Sequence, residues 1–445
     1  MDNTSVNIYT KLNIRLHRIY GRIQSSMMTF GINKGYFISA GIAILSVIRV
    51  IYEANIDGWE NVNYDINTLW PFLVTIVSTM CTISSSIVNY RNYSHKFSII
   101  HDNYYKNEVI GKVQLSERQA DNGYAIRSFY NGLNQEKYII SDDINVKLIE
   151  GKVININNLK YKYQLADEIK QYVPSVLKRS FISEKVIFNG KLVRMASELY
   201  LDSDSVSVQD VRYFDGQCSN EIVYKKIKSN CSLDLPFSGE CLLYDDANVL
   251  YDLGYSSCAN YIGASTLVIT KDNYIVIGKQ DLFSKSNAGR YAPSGSGSVN
   301  YKDLKSSKDF NSLIINAMER EFCEESHYCL EKKDKITSVI IGYARLLERG
   351  GKPDFFGISF IDEYSYNLEN EIKQLERGLA EKNFMLQIYD GMRIGQTLFD
   401  FCNRNIGKRK ISIQLMIIAE ILLKHEDKIV EMLKKHKFIK AQQKC

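Results

Sequence analysis

The apolar positions at the start of the chain follow two different patterns. Over residues 8–28 they recur three and four places apart with lysines and arginines between them, which predicts a basic amphipathic helix. Residues 36–52 and 69–88 are longer apolar runs, close to the length that a helix needs to cross the hydrocarbon core of a bilayer. The pattern therefore predicts a basic amphipathic segment over 1–35 and a two-helix transmembrane hairpin over 36–90. Buried core helices are the alternative.

The charges around the two apolar runs predict the orientation of such a hairpin. Residues 53–67 lie between the runs and contain four acidic residues but no lysine or arginine, whereas basic residues precede the first run and follow the second. The positive-inside rule then places both termini in the cytoplasm. We expect a multi-pass protein of a bacterial inner membrane, in contact with the lipid bilayer. The second run is rich in serine and threonine, whose hydroxyl groups favour contacts between helices, so a homo-oligomer is also expected.

Beyond residue 90 the apolar stretches become shorter. Residues 91–255 alternate short β-branched and aromatic stretches, which predicts a β-rich middle region. Residues 256–445 form the last predicted domain, which closes with a long amphipathic helix over 411–438. The strands predicted in this domain lie at 265–278, 339–347 and 355–361.

Composition and charge exclude several classes of protein. The 45% hydrophobic content is ordinary for a folded chain, so extended disorder is excluded, and 445 residues suit roughly two to four folded units. A net charge of +5 is small for this length, so direct binding to a nucleic-acid duplex is not expected. Nine cysteines without a Cys-x-x-Cys pair outline neither a zinc site nor a disulfide framework.

The candidate chemistry lies in residues 317–325. At helical spacing Glu321, Glu324 and Glu325 project from one face, where three like charges repel one another. A hard divalent cation removes that repulsion, and Mg²⁺ is commonly held by carboxylates together with substrate phosphates. Arg320 lies one turn before Glu324 and can hold it by a charge-assisted hydrogen bond. The alternative interpretation is a solvated acidic helix face.

The surrounding sequence favours the metal site. The stretch Gly289-Arg-Tyr-Ala-Pro-Ser-Gly-Ser-Gly297 follows a predicted strand and precedes the glutamate helix. This order resembles the Nudix box, whose core Arg-Glu-hydrophobic-x-Glu-Glu is matched from Arg320 to Glu325. The resemblance implies a magnesium-dependent hydrolase site. The implied catalytic residues are Arg320, Glu321, Glu324 and Glu325, the implied metal ligands are the three glutamates, and the candidate substrate-binding residues are Gly295, Gly297, Arg345 and Arg349. Arg345, Arg349 and Lys352 lie at or beside the Gly-Gly and proline turn of residues 348–354, where they could meet an anionic substrate, and surface charge is the alternative interpretation.

Three departures from the Nudix pattern bear on activity. The early glutamate of the family falls at Ser312, and the closing glycine falls at His327. The spacer between Gly297 and the helix is also longer than usual and is filled by residues 300–311. A missing glutamate weakens either the anchoring of the loop or one metal contact. The resemblance therefore supports a Nudix fold more strongly than full hydrolase activity.

The order of the segments resembles the membrane-anchored Nudix effectors of bacterial cyclic-oligonucleotide-based antiphage signalling (CBASS). This implies an antiviral effector that responds to a cyclic-nucleotide second messenger and damages the membrane or a nucleotide pool. The alternative is a membrane-tethered, magnesium-dependent Nudix hydrolase of nucleoside diphosphate derivatives. In both cases the expected fold is two N-terminal transmembrane α-helices, a cytosolic α+β part and a C-terminal Nudix-like α/β/α sandwich.

Overall fold

The computed structural model describes residues 3–30, 66–132, 134–182, 188–232, 235–280, 289–326, 336–371, 380–388, 393–408 and 410–435. The helices in this part of the chain are α1 (Asn3–Phe30), α2 (Ile66–Ser94), α3 (Asn103–Lys112), α4 (Glu117–Asp121), α5 (Asp142–Ile149), α6 (Asp167–Lys170), α7 (Val173–Ile182), α8 (Tyr213–Gln217), α9 (Tyr301–Ser306), α10 (Phe310–Ser326), α11 (Ser365–Glu371), α12 (Ile394–Ile406) and α13 (Ile413–Lys435).

The strands are β1 (Phe97–His101), β2 (Tyr124–Asn131), β3 (Asn134–Ser141), β4 (Asn155–Asn158), β5 (Lys191–Met195), β6 (Ser205–Arg212), β7 (Lys225–Ser229), β8 (Phe237–Ser238), β9 (Gly263–Ile269), β10 (Tyr274–Gln280), β11 (Tyr291–Pro293), β12 (Gly295–Ser298), β13 (Ile336–Leu346), β14 (Lys352–Ile361) and β15 (Ala380–Gln387). Short 3₁₀ turns lie at Asn220–Ile222, Gly239–Leu242 and Leu347–Arg349. The chain divides into two compact units, one of 1–101, 165–189 and 225–238 and the other of the remaining residues.

The first unit combines helices α1, α2 and α7 with a small antiparallel sheet of order β1-β7-β8. Gly21 of α1 lies against the ring of Phe181 in α7, where an added Cβ would come within 2.6 Å of the ring. The missing side chain therefore allows the two helices to approach closely. Tyr90 of α2 packs edge-on against the same ring, with 5.8 Å between the centroids.

The prediction of a transmembrane hairpin is wrong. Within the residues that the structure describes, no helix combines the length and the apolar composition needed to cross a membrane. The predicted second span, 69–88, lies inside α2, and its many serine and threonine residues dilute its hydropathy. The predicted first span, 36–52, lies outside the described residues. The predicted multi-pass inner-membrane localisation is overturned by the same finding.

The second unit is built on a nine-stranded sheet. Its main path runs β11-β10-β9-β14-β13-β3-β2, with β12 paired to β9 and β15 paired to β10. Strands β9 and β14 are parallel to each other, and the other pairs are antiparallel. Every residue of β9 is buried, as expected for a strand that is covered on both faces.

Helices α10 and α13 cover opposite faces of this sheet. On β14, a Cβ added to Gly357 would meet the sulfur of Met318 in α10 at 2.5 Å. On the adjacent strand β13, a Cβ added to Gly342 would meet Ile421 in α13, also at 2.5 Å. The larger apolar core lies under α13 and a smaller one lies under the end of α10.

The predicted middle region, 91–255, is divided between the two units. Its hairpin β2–β3 extends the nine-stranded sheet through β13, and β4, β6 and β5 form a separate three-stranded sheet in the second unit. The structure is therefore a mixed α/β fold with several sheets. The predicted fold class, with two transmembrane helices ahead of a cytosolic α+β part and an α/β/α sandwich, is wrong.

Candidate active site

Helix α10 carries the glutamate motif and begins with a reciprocal cap. The Ser312 amide donates to Asp309 Oδ1 at 2.7 Å, and the Asp309 amide donates to Ser312 Oγ at 3.1 Å. This capping box satisfies two backbone groups at the start of the helix. Ser312, which stands where the Nudix pattern has its early glutamate, therefore has a structural role at the N-terminus of α10.

Two glycines of β12 bring that strand against α10. An added Cβ on Gly295 would lie 2.5 Å from the Phe322 backbone nitrogen, and one on Gly297 would lie 2.1 Å from the Glu321 carboxyl carbon. A larger side chain at Gly295 would displace the backbone of α10, and one at Gly297 would displace the Glu321 carboxylate. Between them, the Ser296 amide donates to Glu325 Oε2 at 3.0 Å. The predicted glycine-rich loop is thus a strand in this region, and its glycines and amides fix where the glutamates lie.

Arg320 is the centre of the polar network. Its Nη1 donates to Glu321 Oε1 at 2.8 Å and to Glu324 Oε2 at 3.0 Å. Its Nη2 donates to the Ser298 carbonyl at 2.9 Å. Its Nε and Nη2 also form a two-point contact with Asp303, whose side chain is buried. The guanidinium therefore fixes two members of the glutamate set from one side.

Sequence reasoning missed Asp303. It lies on α9, inside the long spacer between β12 and α10, and it also accepts from the Asn300 amide at 2.8 Å. The Asn300-x-x-Asp303 spacing is the sequence signature of a capping box, and that signal could have identified α9. The contact to Arg320 is a tertiary one, which spacing alone does not predict.

The three glutamates differ in exposure and in pKa. Burial raises the pKa of the Glu321 carboxyl, and Arg320 offsets part of that effect. Burial, together with the nearby Glu321, raises the pKa of Glu325 well above its ordinary value. Glu324 has about half of its side chain exposed. Two partly desolvated carboxylates one helical turn apart are therefore held close together.

This donor set fits a hard cation by its chemistry. Among the described residues, no three His, Cys, Asp or Glu side chains are already arranged as a complete set of metal ligands. Magnesium usually needs only one or two carboxylates, because phosphates and water complete its coordination. The raised pKa values of Glu321 and Glu325 reflect a cost of ionisation that a bound cation would remove. Glu321, Glu324 and Glu325 are the residues that would hold Mg²⁺.

The structure places Arg345 in a buried ion pair. Its Nη1 donates to Glu198 Oε2 and to the Tyr251 carbonyl, both at 2.8 Å, and its Nε donates to the Gly351 carbonyl at 3.1 Å. Only 2% of the Arg345 side chain is exposed. Its hydrogen bonds thus join β13 to neighbouring loops, and a substrate would have to displace them.

Arg349 and Lys352 lie together with two acidic residues. Arg349 Nη2 donates to Glu221 Oε1 at 3.0 Å and to the Tyr261 hydroxyl at 3.1 Å. Lys352 lies over the Tyr261 ring, with its Nζ 4.7 Å from the centroid. Asp354 follows two residues later on β14, and both it and Lys352 are buried. The predicted cation Arg349 is therefore paired, and Lys352 lies beside it.

The remaining departure from the Nudix pattern, His327, lies outside the described residues. The structure thus brings Arg320, Glu321, Glu324 and Glu325 together at the end of α10 that lies beside Gly295 and Gly297, with Glu321 against Gly297. It holds Arg345 in a separate buried network.

Comparisons with known proteins add little to this geometry. No protein family model matches the chain, and no curated protein matches it. The crystal structure of DR0079 from Deinococcus radiodurans, at 1.9 Å resolution, is similar at a TM-score of 0.25 and 9% sequence identity. The similarity covers 36% of this chain and 81% of that chain. At this TM-score it carries no argument about fold or function.

Proposed function

We propose that the chain is a Nudix-type, magnesium-dependent hydrolase that cleaves a phosphoanhydride bond in a nucleoside diphosphate derivative. The observation that carries the proposal is the convergence of three glutamates on one side of α10: Glu321 and Glu325 lie against β12, and Arg320 holds Glu324 beside Glu321. Arg320 and Asp303 fix that arrangement from the other side. The motif that resembles the Nudix core is thus also a spatial cluster.

Each group in the cluster has a separate task in the proposed reaction. Arg320 positions Glu321 and Glu324, and the Ser296 amide positions Glu325. Bound Mg²⁺ would neutralise charge on the diphosphate and lower the pKa of a coordinated water. One glutamate accepts the proton of the attacking water. The water oxygen forms a bond to phosphorus, and the bond from phosphorus to the bridging oxygen breaks with its electron pair on the leaving phosphate.

A second candidate is a nucleotide-binding domain without turnover, which would correspond to the sensor of a cyclic-nucleotide messenger. The observation that favours it is the position of Arg320, which already neutralises Glu321 and Glu324 by direct hydrogen bonds. Ser312 also favours this candidate, because it caps α10 at the position where the Nudix pattern has a glutamate. Both candidates require a nucleotide to bind in the second unit.

One experiment separates the two candidates. The full chain is incubated with a panel of nucleoside diphosphate derivatives, with Mg²⁺ or with EDTA, and the products are separated by chromatography. In parallel, binding of cyclic nucleotides is measured by isothermal titration calorimetry. Magnesium-dependent cleavage supports the hydrolase. Binding of a cyclic nucleotide with no cleavage of any diphosphate would contradict it and favour the sensor.

A further inference from the structure

Gln280 is a buried polar residue outside the motif that resembles the Nudix core. It is the last residue of β10, and only 7% of its surface is exposed. Its backbone amide donates to the Arg290 carbonyl at 3.0 Å, and its backbone carbonyl accepts from the Gly289 amide at 3.1 Å. These bonds fix the end of β10. A buried carboxamide side chain needs hydrogen bonds of its own, so its partner is informative.

The side chain of Gln280 lies on the face of the sheet that packs against α10. Side chains alternate along a strand, so Val276 and Gln280 share one face. The register shift between β10 and β15 places its extra residue on β15, so the alternation of β10 continues as far as Gln280. Val276 belongs to one apolar cluster with Phe322 and Cys323 of α10, whereas Ile277 belongs to the core under α13. Gln280 and the glutamates are therefore on the same side of the sheet.

Strand direction places Gln280 at the same end of the sheet as Ser296. Strand β10 runs antiparallel to β9, so the end of β10 lies at the edge where β9 begins. Strand β12 pairs with the first residues of β9, with Ser296 opposite Ser265. The Ser296 amide bonds Glu325, so this edge of the sheet lies beside the end of α10. Gln280 is thus close enough to take part in the glutamate cluster.

The Gln280 carboxamide donates a hydrogen bond to the Glu325 carboxylate. The Ser296 amide donates to Oε2 of the same carboxylate at 3.0 Å. Both donors are uncharged, whereas Arg320 bonds the other two glutamates through its charged guanidinium. In the part of the chain that the structure describes, Glu325 forms no ion pair with a basic side chain. Its carboxylate is therefore held in place while its negative charge is left unmatched.

We propose that Gln280 is a positioning residue, which fixes the direction of the Glu325 carboxylate and leaves its negative charge free to bind the divalent cation. Hydrogen-bond partners of metal-binding carboxylates orient them and thereby set metal affinity. An uncharged carboxamide does this without neutralising the carboxylate, which a lysine at the same place would do. The inference rests on the proposed function for the presence of the cation. It adds a residue of β10 to a site that the sequence confined to α10, β12 and two arginines.

The test is Mn²⁺ binding by the full chain without nucleotide, measured by electron paramagnetic resonance, because Mn²⁺ takes the same oxygen ligands as Mg²⁺. Q280M replaces the carboxamide with an apolar side chain of similar length, and we expect its dissociation constant for Mn²⁺ to rise by about 10-fold to 100-fold. Q396M is the matched control. It removes an exposed glutamine whose amide donates to the Asp400 carboxylate at 2.8 Å, and it should bind Mn²⁺ as the wild type does. If Q280M fails to fold, Q280N keeps the amide on a shorter side chain and should show the loss.

A double-mutant cycle separates positioning from a general effect on the fold. E325Q lacks the charge that Gln280 positions but keeps Glu321 and Glu324, so adding Q280M to it should change Mn²⁺ affinity by less than about twofold. Q280K places an ammonium beside Glu325 and should weaken Mn²⁺ binding more than Q280M does. An equal loss from Q280M in the wild type and in E325Q would overturn the positioning role.

The outcomes separate this inference from the proposed function. Weaker Mn²⁺ binding by Q280M, together with no cleavage of any diphosphate by the wild type, would keep the positioning role and remove the hydrolase. Cleavage by the wild type, with Mn²⁺ affinity and kcat unchanged in Q280M, would remove the positioning role and keep the hydrolase.

Discussion

Arg320 makes a two-point contact with Asp303, with Nε 3.0 Å from Oδ1 and Nη2 2.9 Å from Oδ2. The other nitrogen of the guanidinium, Nη1, is left to bond Glu321 and Glu324. Because Asp303 is buried and belongs to a separate helix, it fixes the direction in which Arg320 presents its remaining hydrogen bonds. The position of the glutamate cluster thus depends on a residue outside the motif that resembles the Nudix core.

The first prediction concerns Asp303. D303N removes the charge that Arg320 binds, so the guanidinium should tilt toward the glutamates and lower turnover by about tenfold or more. The free energy of unfolding should fall by about 1–3 kcal/mol, because a buried charged hydrogen bond is lost. Turnover and urea denaturation measure the two effects. K302Q, an exposed change on the same helix, should leave both unchanged, and wild-type turnover in D303N would contradict the proposed role.

The second prediction concerns the close approach of β12 to α10. In G297A the new methyl group would lie 2.1 Å from the Glu321 carboxyl carbon, so the Glu321 carboxylate must move away from β12. A displacement of about 1 Å at a catalytic group can cost about 100-fold in rate. We expect kinetic assays of G297A to show a loss of activity that approaches about 100-fold. G407A is the matched control, since nothing lies within 4 Å of the added Cβ, and equal activity in the two variants would disprove the steric argument.

The third prediction separates a structural arginine from a substrate-binding one. R345M leaves the Glu198 carboxylate buried without its partner, which should lower the free energy of unfolding by about 3–5 kcal/mol. In E198L/R345M, where both charges are removed, the loss should be smaller. Urea denaturation measures stability, and ADP titration of the double variant measures binding. If R345M has normal stability but does not bind ADP, Arg345 binds the substrate and its proposed structural role is contradicted.

How much of this arrangement the sequence predicts depends on how local each feature is. Arg320, Glu321, Glu324 and Glu325 share one face of one helix, so helical periodicity alone brings them together. Asp303 reaches Arg320 across a turn between two helices, and no spacing rule specifies that contact. The membrane prediction is wrong because the length of the run indicates a span, whereas the serine and threonine content of residues 69–88 lowers the hydropathy of α2.

The candidate substrate cations show the same limit. Charge and a place near the turn of residues 348–354 predict Arg345 and Arg349 as substrate-binding residues. Burial and pairing with Glu198 and Glu221 are tertiary properties, which charge along the chain does not reveal. The hairpin β2–β3 is a further case, because it joins the nine-stranded sheet through β13 although roughly two hundred residues separate the paired strands.

The fourth prediction concerns pH and Glu325. Its pKa is raised in the folded state, so the folded protein binds that proton more tightly than the unfolded chain does. The stabilisation is complete below the ordinary value of 4.5 and is lost as the pH rises through the folded pKa. In EDTA, the free energy of unfolding should therefore fall between pH 4.5 and neutrality by more in the wild type than in E325Q.

The measurement for Glu325 is urea denaturation at a series of pH values. E117Q changes an exposed glutamate that is distant from Glu325 in the sequence, so it should keep the pH dependence of the wild type. Magnesium should restore stability at neutral pH in the wild type more than in E325Q, because the cation favours the ionised carboxylate. Identical pH profiles for wild type and E325Q would mean that Glu325 is not held in a desolvated position.

The central claim is that the glutamate cluster directs water to a phosphoanhydride bond. It is tested most directly by incubating the full chain and E324Q/E325Q with a nucleoside diphosphate derivative and Mg²⁺ in ¹⁸O-labelled water, with products followed by ³¹P NMR and mass spectrometry. We predict one ¹⁸O atom in one of the two phosphate products of the wild type, no cleavage in EDTA, and a rate lower by about 100-fold or more in the double variant. Unlabelled products, or equal rates in the wild type and a folded E324Q/E325Q, would contradict the claim.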